Sequence, residues 1–289
     1  MTHDQTMNKS VKPFLKWAGG KRQLLSKIGQ YVPQNFNIYY EPFVGAGAVL
    51  FDLRPRRAVI NDINTELINA YRVIKDRVDE LISVLSLHKN DEKYYYAIRN
   101  VDRTPDYEKW SNVERAARLI FINKTCYNGL FRTNLRGHWN VPFGRYTNPR
   151  FADEKGLRAI SQYLNENDIK ILDTDFENAL AGAGMGDFVY LDPPYDPISV
   201  TSSFTSYYKG SFNRDEQKRL KDTVDDLTRR RCMVMLSNSN TEYVRELYKE
   251  YNVIVTTAIR AINSNASGRG KIEEVLVLNY SADGEILQL

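Results

Sequence analysis

The stretch FVYLDPPYDP, residues 188–197, runs four apolar residues into an aspartate, two consecutive prolines and a tyrosine. FVYL has the length and composition of a buried strand. Each proline lacks a backbone N–H and has a fixed φ, so two in succession end the strand at once. The aspartate and the tyrosine are therefore held on a rigid turn. We take DPPY, residues 192–195, as the first candidate functional site, against the alternative of a turn that an aspartate merely caps.

Six further short apolar runs, rich in β-branched or aromatic residues, predict strands elsewhere in the chain. They cover residues 38–43, 58–62, 169–175, 233–239, 253–258 and 273–280. Amphipathic helical patterns lie between most of them, at 64–74, after 215 and at 241–251. Strands that alternate with helices predict an α/β fold, with a doubly wound, mostly parallel sheet and helices on both faces.

Residues 77–164 break this alternation. They hold two helix-like stretches, 79–87 and 113–123, and then a basic, aromatic loop. We predict that 77–164 form a smaller helical recognition domain inserted into a main domain of residues 13–76 and 165–289. The polar residues 1–12 are predicted to be disordered, and the Gly/Ser/Asn-rich residues 262–271 to form a mobile loop.

Composition sets broad limits on the class of protein. The chain has 289 residues, of which 42% are hydrophobic and 26% charged, as in an ordinary globular protein. It contains no apolar run of membrane-spanning length and does not begin like a signal peptide. Cys126 and Cys232 lack metal-ligand spacing and three histidines form no cluster. We therefore expect buried core cysteines, no metal site and a cytoplasmic location.

The positive charge is concentrated in one part of the chain. The net charge is +4, but residues 115–150 hold seven lysines and arginines, six aromatic residues and no acidic residue. Such a run is often only a solvated basic face. Here basic, aromatic, Asn and Gly residues interleave without helical period, which favours contact with nucleic acid.

EPFVGAGAV, residues 41–49, places Gly45 and Gly47 directly after a predicted strand. Glycine permits a tight turn and close approach to a ligand, and the next helix offers free N–H groups. The pattern is shorter than GxGxxG, so an ordinary turn remains an alternative. Asp62 ends the next strand, where it can bind ribose hydroxyls or cap a helix near residue 64. Together, the glycine turn and Asp62 favour an adenosine-containing cofactor.

KWAGGK, residues 16–21, is a third unusual stretch. Its glycine pair can begin a helix that cradles a carboxylate, and Lys21 adds positive charge. The GxxxxGK[ST] spacing is absent, so a nucleoside triphosphate is not implied.

KWAGGK, EPFVGAG, ND at 61–62, NLRGHWNVPFGRY at 134–146 and DPPY occur in an order that resembles the Dam-type DNA adenine-N6 methyltransferases. The resemblance is to their alpha group, which includes the methyltransferases of GATC restriction–modification systems, and it covers residues 14–280. It implies the fold of class I S-adenosylmethionine-dependent methyltransferases with S-adenosyl-L-methionine as cofactor, S-adenosyl-L-homocysteine as product and no metal. It also implies a monomer that acts on double-stranded DNA, pairs functionally with a cognate restriction endonuclease and has no membrane partner.

The resemblance also implies roles for individual residues. The implied catalytic residues are Asp192, Pro193, Pro194 and Tyr195. The implied cofactor-binding residues are Trp17, Lys21, Phe43, Gly45, Gly47, Asp62, Asp175, Phe176 and Asp192. The implied DNA-binding residues are Lys16, Tyr127, Asn128, Leu130, Arg132, Pro142, Arg145 and Tyr146. Among these, Tyr127 and Asn128 match residues that enter the base stack, and Arg145 matches a phosphate contact.

The implied chemistry suits the residue types. The N6 amine of adenine is a weak nucleophile, and the Asp192 carboxylate and Pro193 carbonyl can accept its two hydrogens while Tyr195 stacks on the base. The target lies inside the duplex, so it must be flipped out. Arg132 can read a guanine edge bidentately. Three kinds of alternative remain open. The first is a methyltransferase that acts on another adenine site, on N4 of cytosine, on RNA or on a protein glutamine. The others are a non-enzymatic DNA-binding protein and a nicotinamide dehydrogenase.

Overall fold

The computed structural model describes residues 11–17, 21–197, 212–259, 271–281 and 284–287. Residues 1–10 of the predicted disordered start, both glycines of KWAGGK and residues 262–270 of the predicted loop lie outside this set. No helix in the described part of the chain is long and apolar enough to cross a membrane.

The strands form one sheet, and every predicted strand is present. They are β1 (Tyr39–Glu41), β2 (Arg57–Asn61), β3 (Asp168–Leu172), β4 (Phe188–Leu191), β5 (Met233–Ser239), β6 (Asn252–Ile259) and β7 (Lys271–Leu278). Their order across the sheet is β3-β2-β1-β4-β5-β7-β6. The β1–β2, β1–β4 and β4–β5 pairs are parallel, and β7 is antiparallel to both β5 and β6. The predicted mostly parallel α/β sheet is therefore confirmed.

The predicted helices are present, together with helices at 25–29, 92–100, 154–166 and 176–179 that the sequence analysis does not predict. The described helices are α1 (Leu25–Gly29), α2 (Ala48–Leu53), α3 (Thr65–Asp76), α4 (Val78–Leu87), α5 (Glu92–Asn100), α6 (Asn112–Thr125), α7 (Glu154–Glu166), α8 (Phe176–Ala179), α9 (Arg214–Arg229) and α10 (Glu242–Leu247). Side-chain caps explain several starts. Asn64 caps α3, Asn213 caps α9, and Ser111 forms a capping box with Glu114 at α6.

The chain divides into two compact units. The helical unit comprises Met1–Gly20, Gly45–Arg56 and Asn64–Ile171, and the sheet unit comprises Lys21–Val44, Arg57–Ile63 and Leu172–Leu289. The helical unit therefore contains α2 to α7, and β3 crosses the division at residue 172. These boundaries differ from the predicted domain boundaries, and the assignment of residues 77–164 to recognition stays a prediction about function.

The core of the sheet unit explains why α9 forms. Leu220, Val224 and Leu227 recur at helical spacing and are all buried. They belong to a cluster with residues of the central strands, among them Val189, Leu191, Val234 and Leu236. Burial of this apolar stripe stabilises both the helix and the sheet on which it packs.

The order of the strands brings several predicted motifs to one edge of the sheet. β1 lies between β2, which follows it in the chain, and β4, which comes later in the chain. Because these strands and β5 are parallel, their carboxyl ends share an edge. The EPF and ND residues span the carboxyl ends of β1 and β2, and DPPY directly follows β4. Ligands of open α/β sheets bind at such a switch point.

Candidate functional site

The DPPY turn follows β4 directly and places Asp192 among polar partners in the sheet unit. Lys21 Nζ lies 2.8 Å from Asp192 Oδ1, and Ser237 Oγ donates to the same oxygen at 2.9 Å. Burial raises the pKa of Asp192 above its ordinary value, while Lys21 and then Ser237 act in the opposite direction. Ser237 lies at the end of β5 and is also 3.1 Å from the Tyr190 hydroxyl.

Tyr195 is held from two sides within the same unit. Its hydroxyl donates to Glu274 Oε2 at 2.8 Å, and the Lys21 ammonium lies 4.4 Å from the centre of its ring. Burial first, and the charges of Asp192 and Glu274 next, raise the pKa of Tyr195 well above its ordinary value. Of the two prolines, Pro193 is buried and Pro194 is exposed. Lys21, predicted to contact cofactor, thus contacts two of the predicted catalytic residues.

Asn61 ties together the loops that follow three strands. Its Nδ2 donates to the carbonyl oxygens of Pro42 and Thr174, both at 3.0 Å, and its Oδ1 accepts from the Thr174 N–H at 2.9 Å. Pro42 follows β1, Asn61 ends β2 and Thr174 follows β3. The next residues along these loops are the predicted cofactor residues Phe43, Asp62 and Asp175.

Two of these predicted cofactor residues pack together. The Phe43 and Phe176 rings are 5.4 Å apart. Phe176 is buried, and the Arg219 guanidinium lies 4.3 Å from the centre of its ring. Asp175 accepts from the Glu177 N–H at the start of α8 and from Arg219 at 2.7 Å. Asp175 therefore fixes the local backbone, whatever else it binds.

Asp62 is half-buried and directly follows β2. Helix α3 is capped by Asn64, whose side chain accepts from Leu67 at 3.1 Å, so the capping alternative for Asp62 is wrong. The next residue, Ile63, has 74% of its surface exposed although it is a large apolar side chain. Ile63 is not among the predicted site residues, although it directly follows Asp62, the predicted ribose-binding aspartate.

Both glycines of the FVGAG turn have positive φ, and both lie in the helical unit. Gly45 has φ +49° and Gly47 φ +73°. A Cβ atom at Gly47 would lie 2.6 Å from the Tyr71 hydroxyl oxygen, which donates to the Gly45 carbonyl at 3.0 Å. The indole of Trp17 packs directly against Gly45, 3.0 Å from where a Cβ would stand. Glycine is thus needed at both positions for conformation and space.

Trp17 and Lys16 both contact residues of the predicted recognition domain, 77–164, within the helical unit. Trp17 stacks on Phe131 with ring centres 5.0 Å apart. The Lys16 ammonium lies 4.5 Å from the centre of the Tyr146 ring, and its stem fills the space where Gly129 lacks a side chain.

Asn123 at the end of α6 holds this arrangement and was missed by the sequence reasoning. Its Oδ1 accepts from the Lys16 N–H, and its Nδ2 donates to the carbonyls of Lys16 and Gly129, at 2.8, 2.8 and 3.0 Å. The side chain is completely buried. An asparagine within an apolar helix is a detectable signal, because a buried amide needs partners.

The segment after α6 turns back on itself rather than forming an irregular loop. Cys126 pairs with Phe143, and Thr133 pairs with Trp139, in antiparallel bridges. Tyr127 and Asn128 form a short 3-10 turn in which Asn128 has φ +56°. Tyr127 is 53% exposed.

The remaining predicted DNA-binding residues follow on this segment. Leu130 is half-buried, whereas Arg132, Pro142 and Arg145 are exposed. Arg132 is oriented by Asn140, whose Oδ1 accepts from Arg132 Nε at 2.8 Å. Arg145 has φ +53° and lies 3.8 Å from Glu92.

Part of the basic, aromatic run of residues 115–150 is buried and supports the fold instead of facing a ligand. Arg118 is buried and paired with Asp102 at 2.9 Å, and Arg115 lies 3.4 Å from Glu66, so these two basic residues support the fold. Two of the six aromatic residues, Phe121 and Trp139, are core residues.

The cysteines are buried free thiols, as predicted. Burial raises the pKa of Cys126 to about 12 and that of Cys232 to about 11, which makes both unreactive. No group of three possible metal ligands occurs among the described residues.

The sheet order, the glycine turn after β1 and the acidic residue after β2 define the class I S-adenosylmethionine-dependent methyltransferase fold. A family model described as D12 class N6 adenine-specific DNA methyltransferase matches residues 17–262. The chain therefore belongs to the D12 class of N6 adenine-specific DNA methyltransferases. It is an adenine-specific DNA methyltransferase, and this membership implies S-adenosylmethionine as methyl donor and DNA as substrate.

Several relatives match over nearly their whole length. The chain is 47% identical to the Type II methyltransferase M1.LlaDCHI of Lactococcus lactis, over 94% of this chain and 96% of the relative. It is 44% identical to the Type II methyltransferase M.MjaIII of Methanocaldococcus jannaschii, over 93% and 99%. It is 35% identical to the DNA adenine methylase of Escherichia coli K12, over 93% and 96%.

Proposed function

We propose that the enzyme methylates adenine within GATC sites of duplex DNA, after the base leaves the helix and enters the DPPY turn. The observation that carries this proposal is the cluster formed by Asp192, Lys21, Ser237 and Tyr195 at the end of β4. It combines a hydrogen-bond acceptor for the N6 amine with a ring on which a planar base stacks, and it lies at the switch point of the sheet.

The two oxygens of Asp192 have different surroundings. Lys21 and Ser237 both bind Oδ1, and no described residue hydrogen-bonds to Oδ2. We assign Oδ2 to one N6 hydrogen and the Pro193 carbonyl oxygen to the other. This geometry favours a pyramidal N6 whose lone pair is available, and alignment of the reacting groups contributes several kcal/mol to rate enhancement. Lys21 opposes the burial that raises the pKa of Asp192, and so favours the ionised carboxylate that acts as an acceptor.

The predicted cofactor residues of each unit fit S-adenosylmethionine, which would supply an electrophilic methyl group when bound. Asp62 offers a carboxylate to the ribose hydroxyls, and Ile63 offers an exposed apolar surface to the adenine ring. Phe43 and Phe176 pack together next to Asp175 on loops that Asn61 holds. The positive φ of Gly45 and Gly47 supports close approach of the backbone to the methionine part. Trp17 packs against Gly45.

Recognition of DNA is assigned to the segment from Tyr127 to Tyr146. Tyr127 is exposed and supplies a ring that fills the gap left by the flipped base, beside Asn128. Arg132, oriented by Asn140, reads a guanine edge, and Arg145 neutralises phosphate. Leu130, Pro142, Tyr146 and Lys16 complete the contacts to bases.

Similarity to relatives named DNA adenine methylase supports the GATC assignment, and similarity to Type II methyltransferases supports partnership with a restriction endonuclease. The same Type II names favour one second candidate, another palindrome that contains adenine. The proposal includes a monomeric enzyme that acts in the cytoplasm.

Labelled S-adenosylmethionine and two duplexes that differ only in GATC against GTTC test the proposal. We expect transfer to the GATC duplex alone, with N6-methyladenine as the product nucleoside. Transfer to both duplexes would refute the recognition assignment. If neither duplex is methylated, a panel of duplexes with other adenine-containing palindromes is tested, and transfer to one of them would establish the second candidate.

Asp192→Ala is expected to abolish transfer and leave DNA binding intact. Loss of binding alone would refute the catalytic assignment.

A further inference from the structure

The two peptide groups on either side of Tyr195 are each held by a buried side-chain amide. Gln217 Nε2 donates to the Pro194 carbonyl at 2.8 Å, and Asn238 Oδ1 accepts from the Asp196 N–H at 3.1 Å. The two amides also bond to each other, because Asn238 Nδ2 donates to Gln217 Oε1 at 3.0 Å. Gln217 is 1% exposed and Asn238 is completely buried. We call these two residues the amide pair.

The amide pair is built into the rigid part of the sheet unit. Gln217 lies in the first turn of α9, and Asn238 is the penultimate residue of β5. The Tyr195 hydroxyl is fixed separately by Glu274 at 2.8 Å. The backbone on both sides of Tyr195 and the end of its side chain are thus all constrained, which leaves the plane of the ring little freedom.

We infer that Gln217 and Asn238 are positioning residues for methyl transfer, which act by fixing the plane of the Tyr195 ring. The inference rests on the proposed function, in which the target adenine stacks on that ring. A tilt of the ring tilts the base and moves N6 away from Asp192 Oδ2. A misplacement of about 1 Å at a reacting atom lowers the rate on the order of 100-fold, so the orientation of this ring is a sensitive variable.

Gln217→Glu provides a test with little change in shape. An ionised glutamate cannot donate to the Pro194 carbonyl, whereas a protonated glutamate can, and its other oxygen still accepts from Asn238. The measurement is the single-turnover rate of methyl transfer at saturating DNA and S-adenosylmethionine. At about pH 8 we expect a rate 10- to 100-fold below the wild type, with both dissociation constants within about threefold. The deficit should shrink as the pH falls and the glutamate protonates.

Asn238→Asp gives an independent second variant. It keeps the acceptor for the Asp196 N–H and loses the donor to Gln217, so the rate should fall while binding persists. Thr241→Val is the matched control. The Thr241 hydroxyl donates to Asp196 Oδ2 at 2.8 Å and caps α10, but it contacts neither peptide group beside Tyr195. This control should lower stability and leave the rate per folded molecule unchanged.

The outcomes separate the inference from the function on which it rests. If Asp192→Ala still transfers methyl groups, the proposed active site is wrong. If Asp192→Ala is inactive but Gln217→Glu reacts at the wild-type rate, only the positioning role is wrong. An equal loss of rate in Thr241→Val also overturns the positioning role, because the loss of rate would then follow the loss of stability. If Gln217→Glu does not fold, Asn238→Asp decides by the same criteria, and if neither folds the amide pair is structural and the inference fails.

Discussion

Replacing Asn61 with alanine tests whether the loops at the carboxyl edge must be held in place to bind the cofactor. The side chain is 1% exposed and makes three hydrogen bonds, two to carbonyl oxygens and one from a backbone N–H. A buried hydrogen bond contributes about 1 kcal/mol net, so Asn61→Ala should lower the free energy of unfolding by about 3 kcal/mol. The loops that carry Phe43 and Asp175 also lose their common anchor.

Asn279 offers a matched control in the same unit. It too is 1% exposed, donates to Thr228 Oγ1 and the Cys232 carbonyl at 2.9 Å, and accepts from the Val234 N–H at 2.7 Å. These contacts lie at the start of β5, the opposite edge from the site. Asn279→Ala should therefore cost about the same free energy of unfolding without changing affinity for S-adenosylmethionine.

Urea unfolding measures the stability of both variants, and calorimetric titration measures their affinity for S-adenosylmethionine. Ordering one released residue on binding costs about 1–2 kcal/mol, so we expect Asn61→Ala to bind about tenfold more weakly than the wild type and Asn279→Ala to bind equally well. Equal weakening in both variants would show that affinity follows stability. Unchanged affinity in Asn61→Ala would show that the loops need no anchor. Either result refutes the reasoning.

Three further perturbations test the electrostatics. Ser237→Ala removes a donor to Asp192 and raises the pKa of that buried carboxyl further, so the acidic limb of the pH–rate profile should move to higher pH; an unmoved limb contradicts this. Arg118→Ala should cost about 3–5 kcal/mol in urea unfolding because it removes the nearer of the two cations beside the Asp102 carboxylate, which is mostly buried. Arg136 belongs to the same basic run but is exposed, so Arg136→Ala should spare stability and lower the salt slope of DNA binding by about one. Burial lowers the pKa of His88 from 6.5 to about 4, so the unfolded chain protonates first. The free energy of unfolding should then fall by on the order of 2 kcal/mol as the pH is lowered from 6.5 to about 4. His88→Phe should not show this fall when unfolding is measured over the same pH range.

The sheet was predictable because its signals are local. Each strand is a short apolar run, and residues that cannot continue a strand end most of them. The structure moves the predicted boundaries by only a few residues, as in β4, which ends at Leu191 directly before Asp192. Parallel pairing then follows from the helices between strands, and parallel pairing alone brings the loop motifs to one edge.

Side-chain partners were not predictable in the same way. Arg118 lies in the same basic run as Arg132, yet one is buried against Asp102 and the other is exposed beside Asn140. The sequence shows that the run is basic. It does not show which face of the helix turns inward, because Asp102, the acidic partner of the buried Arg118, lies on a separate turn of the chain.

The amides were missed for a related reason. Asn61, Gln217 and Asn238 look like ordinary polar residues, because their partners are backbone groups of loops far along the chain. Only the folded structure shows that these groups meet.

The use of amides, rather than charged side chains, suits the proposed role of Asp192 as an acceptor for the substrate amine. Its pKa is already raised by burial, and Lys21 provides the opposing charge. A further carboxylate near the turn would raise that pKa again, and a further ammonium would compete with the substrate amine for the carboxylate. A neutral amide donates and accepts at once, so Gln217 and Asn238 satisfy the backbone around Tyr195 without adding charge. Lys21 and Ser237 thus contact Asp192 directly, while the neutral amides of Gln217 and Asn238 hold the backbone on both sides of Tyr195.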